Sequence, residues 1–198
     1  MNWDIENSFF DKGYKIICGT DEAGRGPLAG PVYAAAVILP VGYETEGLND
    51  SKKISEKKRE KLFEIIKKDA LAYSVCSASV EEIDRLNILN AAQLAMRRCV
   101  SELTPVPELV LVDGNVARDF PIESVTVIKG DAKSPNIAAA SILAKVTRDR
   151  ICLEMDKEYP QYNFKKHKGY PTKEHMDAVR KFGPCPLHRK TFLKFLDK

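Results

Sequence analysis

The run YKIICGTDEAGRGPLAGPVYAAAVIL, Tyr14 to Leu39, decides the fold. Tyr14–Thr20 is apolar and β-prone and predicts a strand ending at Asp21. Val32–Leu39 predicts a second strand, ended by Pro40, and Ala70–Ala78 (ALAYSVCSA) a third. Their close succession predicts an antiparallel meander. Between the second and third lies Ser55–Lys68, where Ser55 is a good N-cap. Leu62, Phe63, Ile65 and Ile66 supply the apolar stripe of an amphipathic helix.

Further along, Ser79-Val80-Glu81-Glu82 is a capping box, in which hydroxyl and carboxylate satisfy each other's orphan backbone donors. It opens a predicted helix through about Leu103, with Ile83, Leu86, Leu94 and Met96 among its apolar positions and Pro105 and Pro107 beyond it. Glu108–Val112 then reads as a buried strand ended by Asp113-Gly114-Asn115, and Ser124–Lys129 as another ended by Gly130-Asp131. A long helix rich in Ala, Ile and Leu begins over Ser134–Arg150. Helices are also predicted at Pro171–Phe182, stopped by Gly183-Pro184, and at Arg189–Leu196. This order predicts an α/β fold, a mixed sheet flanked by helices.

The composition narrows the function. At 198 residues and 44% hydrophobic, the chain can bury a core without metal or disulfide staples. The apolar run Val32–Leu39 is far below the roughly 18–20 residues a bilayer span needs, so no membrane partner is expected. Met1–Phe10 carries Asp4 and Glu6 and lacks the basic and apolar regions of a signal peptide. Five cysteines with no CxxC pair argue against a zinc ribbon or a disulfide framework and fit a reducing cytoplasm. The net charge of +3 is unevenly spread. Lys165–Lys198 holds ten Lys and Arg against three acids, and Ser51–Lys68 eight against three. Basic flanks around an acidic remainder suit a polyanion gripped at its phosphates and processed by metal held on carboxylates.

Acids close the predicted strands: Asp21 and Glu22 the first, Asp113 the fourth, Asp131 the fifth. Strand ends are where side chains leave the core and converge on a ligand. One such Asp alone reads equally well as a turn residue, and Asp113-Gly114 is a good turn dipeptide. Several together suit hard divalent cations, which take oxygen ligands, and paired ions suit phosphodiester hydrolysis. The adjacent pair Asp21-Glu22 carries a geometric difficulty, because successive strand side chains point to opposite faces. Both serve one site only if the strand breaks at Glu22 or a main-chain carbonyl contributes; Ala23-Gly24 would permit that break. Gly24-Arg25-Gly26-Pro27 adds a backbone able to approach a ligand closely, with a planar charge suited to phosphate.

DEAGRGPLAGPV (Asp21–Val32), LNDSKKIS (Leu48–Ser55), LVDGN (Leu111–Asn115), KGDAKSPNIAAASILAKVTRD (Lys129–Asp149) and HKGYPTKEH (His167–His175) together resemble the ribonuclease HII family, the type 2 ribonucleases H. The resemblance spans about Tyr14 to Phe192 and implies a ribonuclease H-like catalytic domain over residues 1–164, with a basic C-terminal helical segment, 165–198, packed on it. It implies that Asp21, Glu22, Asp113 and Asp131 are the catalytic acids and bind Mg²⁺ or Mn²⁺. Gly24, Arg25 and Gly26 match the loop that reads the ribonucleotide 2′-hydroxyl, and Tyr170 the tyrosine that stacks at the ribonucleotide–DNA junction. Lys52, Lys53, Lys133 and Ser134 fall in motifs that can meet backbone phosphates. The implied activity is endonucleolytic hydrolysis 5′ of a ribonucleotide, in RNA–DNA hybrids or in duplex DNA with embedded ribonucleotides. Two-metal-ion catalysis would leave a 3′-hydroxyl and a 5′-phosphate. A cytoplasmic monomer acting in DNA repair is the expected working unit. The chain is too short for the extra N-terminal domain of the type HIII relatives.

Two other readings stay open on the residues alone. A metal-dependent exonuclease of the same fold would use the acids but has no need of a 2′-hydroxyl sensor. A non-catalytic nucleic-acid-binding module would use the basic flanks but has no use for acids that repel phosphate. His167, His175 and His188 form no triad with a nucleophile and read as structural or solvated, with phosphate contact open to the first two. The cysteines read as small packing residues.

Overall fold

The computed structural model describes residues 1–44, 47–48 and 54–197. After helix α1 (Asp4–Phe10) come strands β1 (Ile17–Ala23) and β2 (Val32–Ile38), helix α2 (Glu56–Asp69) and strand β3 (Ala72–Ala78). Helices α3 (Val80–Leu86) and α4 (Ile88–Ser101) lead to strands β4 (Leu109–Asp113) and β5 (Ser124–Val127). The long helix α5 (Pro135–Glu158) follows, then α6 (Phe164–His167) and α7 (Lys173–Phe182). Among the described residues the sheet has the order β3-β2-β1-β4-β5, antiparallel across β3, β2 and β1 and parallel from β1 through β4 to β5. The expected mixed sheet flanked by helices is therefore present, as is the meander.

Two layers of helix cover the sheet. On one face Cys18, Ala34, Ala36, Val110 and Val112 pack against Ile83, Ala92, Met96 and Cys99 of α3 and α4. On the other, Ala35 and Val37 meet Ala138, Ala139, Ile142 and Leu143 of α5, with Leu62, Phe63 and Ile66 of α2. This alternation is the pleat of the strands read residue by residue. Helix α5 approaches β1 closely: a Cβ on Gly19 would lie 2.3 Å from the Ile137 nitrogen. That contact fixes the height of α5 above the end of β1, where the acids stand.

Several boundaries differ from expectation, each for a local reason. Strand β1 does not end at Asp21, because its antiparallel register continues, with Asp21 opposite Ala35 and Glu22 opposite Ala34. The helix expected from Ser79 to Leu103 is two helices. Asn87 takes φ 68° and its side chain accepts the Asn90 N–H, ending α3 and capping α4. Ile65 lies outside the α2 stripe, at 38% exposed. Helix α7 starts at Lys173 because Thr172 caps it. The last expected helix is two 3₁₀ turns, Lys190–Phe192 and Lys194–Leu196. Asp84 accepts the Lys190 and Thr191 N–H groups and ties the first turn to α3. Helix α1 was not anticipated; its Ile5, Phe9 and Phe10 cover Ile17, Leu109, Leu111 and Ile137. Among the described residues no helix is long and apolar enough to cross a membrane.

Candidate active site

A cavity of about 410 Å³ opens at the C-terminal end of β1, lined by Asp21 to Gly26, by Ser141, Lys145 and Arg148 of α5, and by Tyr170. Asp21 is 5% exposed. Its carboxylate accepts the Glu22 N–H at 2.7 Å and a hydrogen bond from the Ser141 hydroxyl. Burial, then the charges of Glu22 and Asp113, push its pKa well above the usual carboxylate range. Glu22 is raised as well, chiefly by burial, with the Arg25 guanidinium 3.1 Å away opposing the shift.

Glu22 does not share the face of Asp21. Since β1 continues through both, Asp21 is directed at α5, whereas Glu22 also borders a narrow groove with Leu89, Gln93 and Met96 of α4 and with Asp113. The break that would put both acids on one face is not made, and they couple around the strand end instead. Asp113 closes β4, and its Oδ1 accepts the Gly130 N–H at 2.7 Å. Gly130 has no room for a side chain, since a Cβ there would meet the Ile137 Cδ1 at 2.5 Å. Asp131 is buried in the 3₁₀ turn Gly130–Ala132 and lines neither cavity nor groove. Asp21, Glu22 and Asp113 thus form one electrostatic group, with Asp131 one residue from a partner of Asp113. Among the described residues no three His, Cys, Asp or Glu side chains are already gathered around one ion position.

The Gly24–Gly30 segment crosses the cavity mouth. Gly24 has φ +100°, and a Cβ there would fall 2.0 Å from the Arg148 Nε, so glycine is required on both counts. Arg25 and Gly26 are exposed at the rim. The Arg25 guanidinium, expected to meet phosphate, is paired with Glu22. Tyr170 is 42% exposed and its ring lies against Gly26, 3.3 Å from where a Cβ would stand. Its carbonyl accepts from His175 Nδ1 at 3.0 Å.

The remaining candidates fare differently. Lys133 is exposed at the foot of α5. Ser134 is corrected: it is fully buried, its hydroxyl donates to Glu6 at 2.6 Å and accepts the Ile137 N–H, so it caps α5 and is closed to phosphate. Lys52 and Lys53 lie outside the described residues. The phosphate role left open for His167 and His175 is also excluded, since both are buried. Sequence reasoning passed over Ser141, Lys145 and Arg148. Their spacing held the signal: polar residues at i, i+4 and i+7 share one face of a helix. Arg189, whose side-chain hydrogen bonds all go to residues 24–30, gave no such sign.

Comparison with known proteins bears on this arrangement. The profile of the family described as ribonuclease HII matches residues 18–195. The ribonuclease HII of Acetivibrio thermocellus is 54% identical over 189 residues, covering 96% of this chain and 74% of that protein. The crystal structure of ribonuclease H2 from Pyrococcus horikoshii OT3 superposes with a TM-score of 0.76 at 25% identity, over 92% of this chain and 97% of the other. The crystal structure of Bst-RNase HIII in complex with Mn²⁺ shares the fold, with a TM-score of 0.67 at 17% identity over 90% of this chain and 68% of that one. The ribonuclease H-like fold follows, and with it the conclusion that this chain belongs to the ribonuclease HII family and is a ribonuclease H, a hydrolase.

Proposed function

We propose that this ribonuclease H cuts the phosphodiester on the 5′ side of a ribonucleotide, in an RNA–DNA hybrid or in duplex DNA carrying embedded ribonucleotides. The products are a 3′-hydroxyl and a 5′-phosphate. The observation that carries the reading is Asp21: an acid lining a cavity beside Glu22 and Asp113, driven above its normal range first by burial and then by the charges of those two acids. Buried like charges that Arg25 offsets only at Glu22 suit a hard divalent cation with oxygen ligands, Mg²⁺ or Mn²⁺. Asp21, Glu22, Asp113 and Asp131 would hold such ions. When bound, they supply charge neutralisation at the scissile phosphate and water of lowered pKa.

The chain's own groups do the rest. Arg25 and Gly26 present backbone N–H groups where a ribose 2′-hydroxyl can accept them, and a site built for that hydroxyl rejects a deoxyribonucleotide. Tyr170, beside Gly26, gives a stacking surface at the junction. Lys133 is read as a phosphate contact, and so are Lys52 and Lys53. Residues 1–164 are read as the catalytic body and 165–198 as a segment packed on it, in a monomer working in the cytoplasm on DNA repair. The shared apolar cluster of Leu28, Cys152, Phe164, Val179 and Leu193 supports that packing.

A closed circular duplex with one embedded ribonucleotide provides the test. With Mg²⁺ or Mn²⁺ the protein is expected to nick it and leave a 3′-hydroxyl, which an exonuclease cannot do. Asp21→Asn is expected to slow nicking by on the order of 10²–10³-fold or more, with duplex binding retained. Wild-type nicking by Asp21→Asn, or cleavage that ignores the ribonucleotide, would overturn the reading.

A further inference from the structure

Arg189 is 0% exposed, and among the described residues it makes no ion pair with a carboxylate. Its hydrogen bonds go to main-chain carbonyls of one segment. Nε donates to Gly30 O at 2.9 Å, Nη1 to Arg25 O and Pro27 O at 3.0 and 2.8 Å, and Nη2 to Gly24 O at 2.7 Å. Arg148, also buried, donates to Ala29 O and Lys168 O. Burial and the like charge of Arg148 pull the Arg189 pKa down to about 9, which leaves it charged at neutral pH. A buried cation without a paired carboxylate is expensive; four carbonyl dipoles contact it directly, with the Phe192 ring 5.2 Å from the guanidinium and the charge of Asp84 acting from farther off.

The consequence lies in the peptide plane. Across a trans peptide the C=O of one residue and the N–H of the next point in opposite directions. Turning the Gly24 carbonyl inward to Arg189 turns the Arg25 N–H away from it. Turning the Arg25 carbonyl inward does the same for the Gly26 N–H. Neighbouring amides of the segment are spent internally, Leu28 N–H on Gly169 O and Gly30 N–H on Leu187 O. Arg25 and Gly26 are the residues left exposed at the cavity rim.

We propose that Arg189 is a positioning residue for ribonucleotide selectivity, fixing the Gly24–Gly30 carbonyls inward so that the Arg25 and Gly26 amides face the substrate. This rests on the function proposed above. Lysine keeps the charge but not the planar fork that reaches four carbonyls, so Arg189→Lys separates positioning from charge.

The test is binding, by fluorescence anisotropy with Mg²⁺ and in an Asp21→Asn background, of two duplexes that differ by a single 2′-hydroxyl. Arg189→Lys is expected to lower the preference for the ribonucleotide duplex about 10-fold, the loss of one or two hydrogen bonds, while affinity for the all-DNA duplex stays within about twofold. A purely structural role would lower the melting temperature and leave the preference intact, and that result would overturn the inference. Should Arg189→Lys not fold, amide relaxation in the unaltered protein decides. Order parameters near 0.85 at Arg25 and Gly26 support a clamped segment, and values below about 0.6 overturn it. If the Asp21→Asn protein with Arg189 intact shows no preference between the duplexes, the proposed function fails at the loop and this inference fails with it. A preference kept in Arg189→Lys removes the inference alone.

Discussion

Gly19 presents only hydrogen to α5, and the site is built on that closeness. An added methyl would stand 2.3 Å from the Ile137 nitrogen and 2.4 Å from the Asn136 carbonyl carbon, both backbone atoms that cannot rotate aside. Gly19→Ala must therefore lift the helix from the sheet and carry Ser141 away from Asp21. We expect a loss of about 3 kcal/mol, at the upper end of overpacking effects, measured as a lowered urea midpoint; an unchanged midpoint would show that α5 yields without cost. At this scale the sequence was informative about chemistry and poor on direction. The acids at Asp21, Glu22, Asp113 and Asp131 stood out because carboxylates at strand ends need a reason. That Glu22 would turn toward α4, and that Ser134 would spend its hydroxyl on Glu6, depended on partners far off in the chain.

Elements show the same division. The Ser79 capping box and the Ser55 N-cap were legible because both partners lie within one turn. Helix α1 was not, since its reason to form is the surface it covers. At its centre Glu6 is fully buried, accepting from Ser134 Oγ at 2.6 Å and Asn136 Nδ2 at 3.2 Å, while Oε2 has no partner. Burial raises its pKa from the ordinary 4.5. The folded state thus favours the protonated acid. Its contribution is complete below pH 4.5 and declines as pH rises, until the folded carboxyl itself ionises. Glu6→Gln keeps the acceptor and removes the titration. It should lie within about 1 kcal/mol of the parent at pH 7, whereas Glu6→Ala, leaving two buried donors unsatisfied, should cost about 2–3 kcal/mol. Equal urea midpoints for the two variants would dismiss this role for Glu6.

Across the whole molecule, buried imidazoles tie the C-terminal segment together from Cys185 back to Tyr170. His188 Nδ1 accepts the Cys185 N–H, so its Nε2 donates to His175, whose Nδ1 donates to the Tyr170 carbonyl. Every ring nitrogen is used, and only in neutral rings. Burial draws both His175 and His188 down from 6.5 to about 4. A depressed histidine contributes stability that is present above the unfolded pKa and lost as pH falls from 6.5 toward 4. By pH 5 the loss should reach on the order of 2 kcal/mol per ring. Glu6, Asp21 and Glu22, being raised, act in the opposite sense, so the measurement is the pH 7 to pH 5 change in melting temperature compared with that of His188→Gln. A parent protein no more acid-sensitive than this variant would refute the neutral network.

By itself the sequence determined the strands, most helices, their sheet class and the identity of the acids, because periodicity, caps and turn residues act over a few positions. Only the tertiary structure decided which acids face each other, which serine caps a helix, and how Arg189 holds the Gly24–Gly30 backbone. Those outcomes depend on residues about ninety or more positions apart, and a buried hydrogen bond has no local periodicity to announce it.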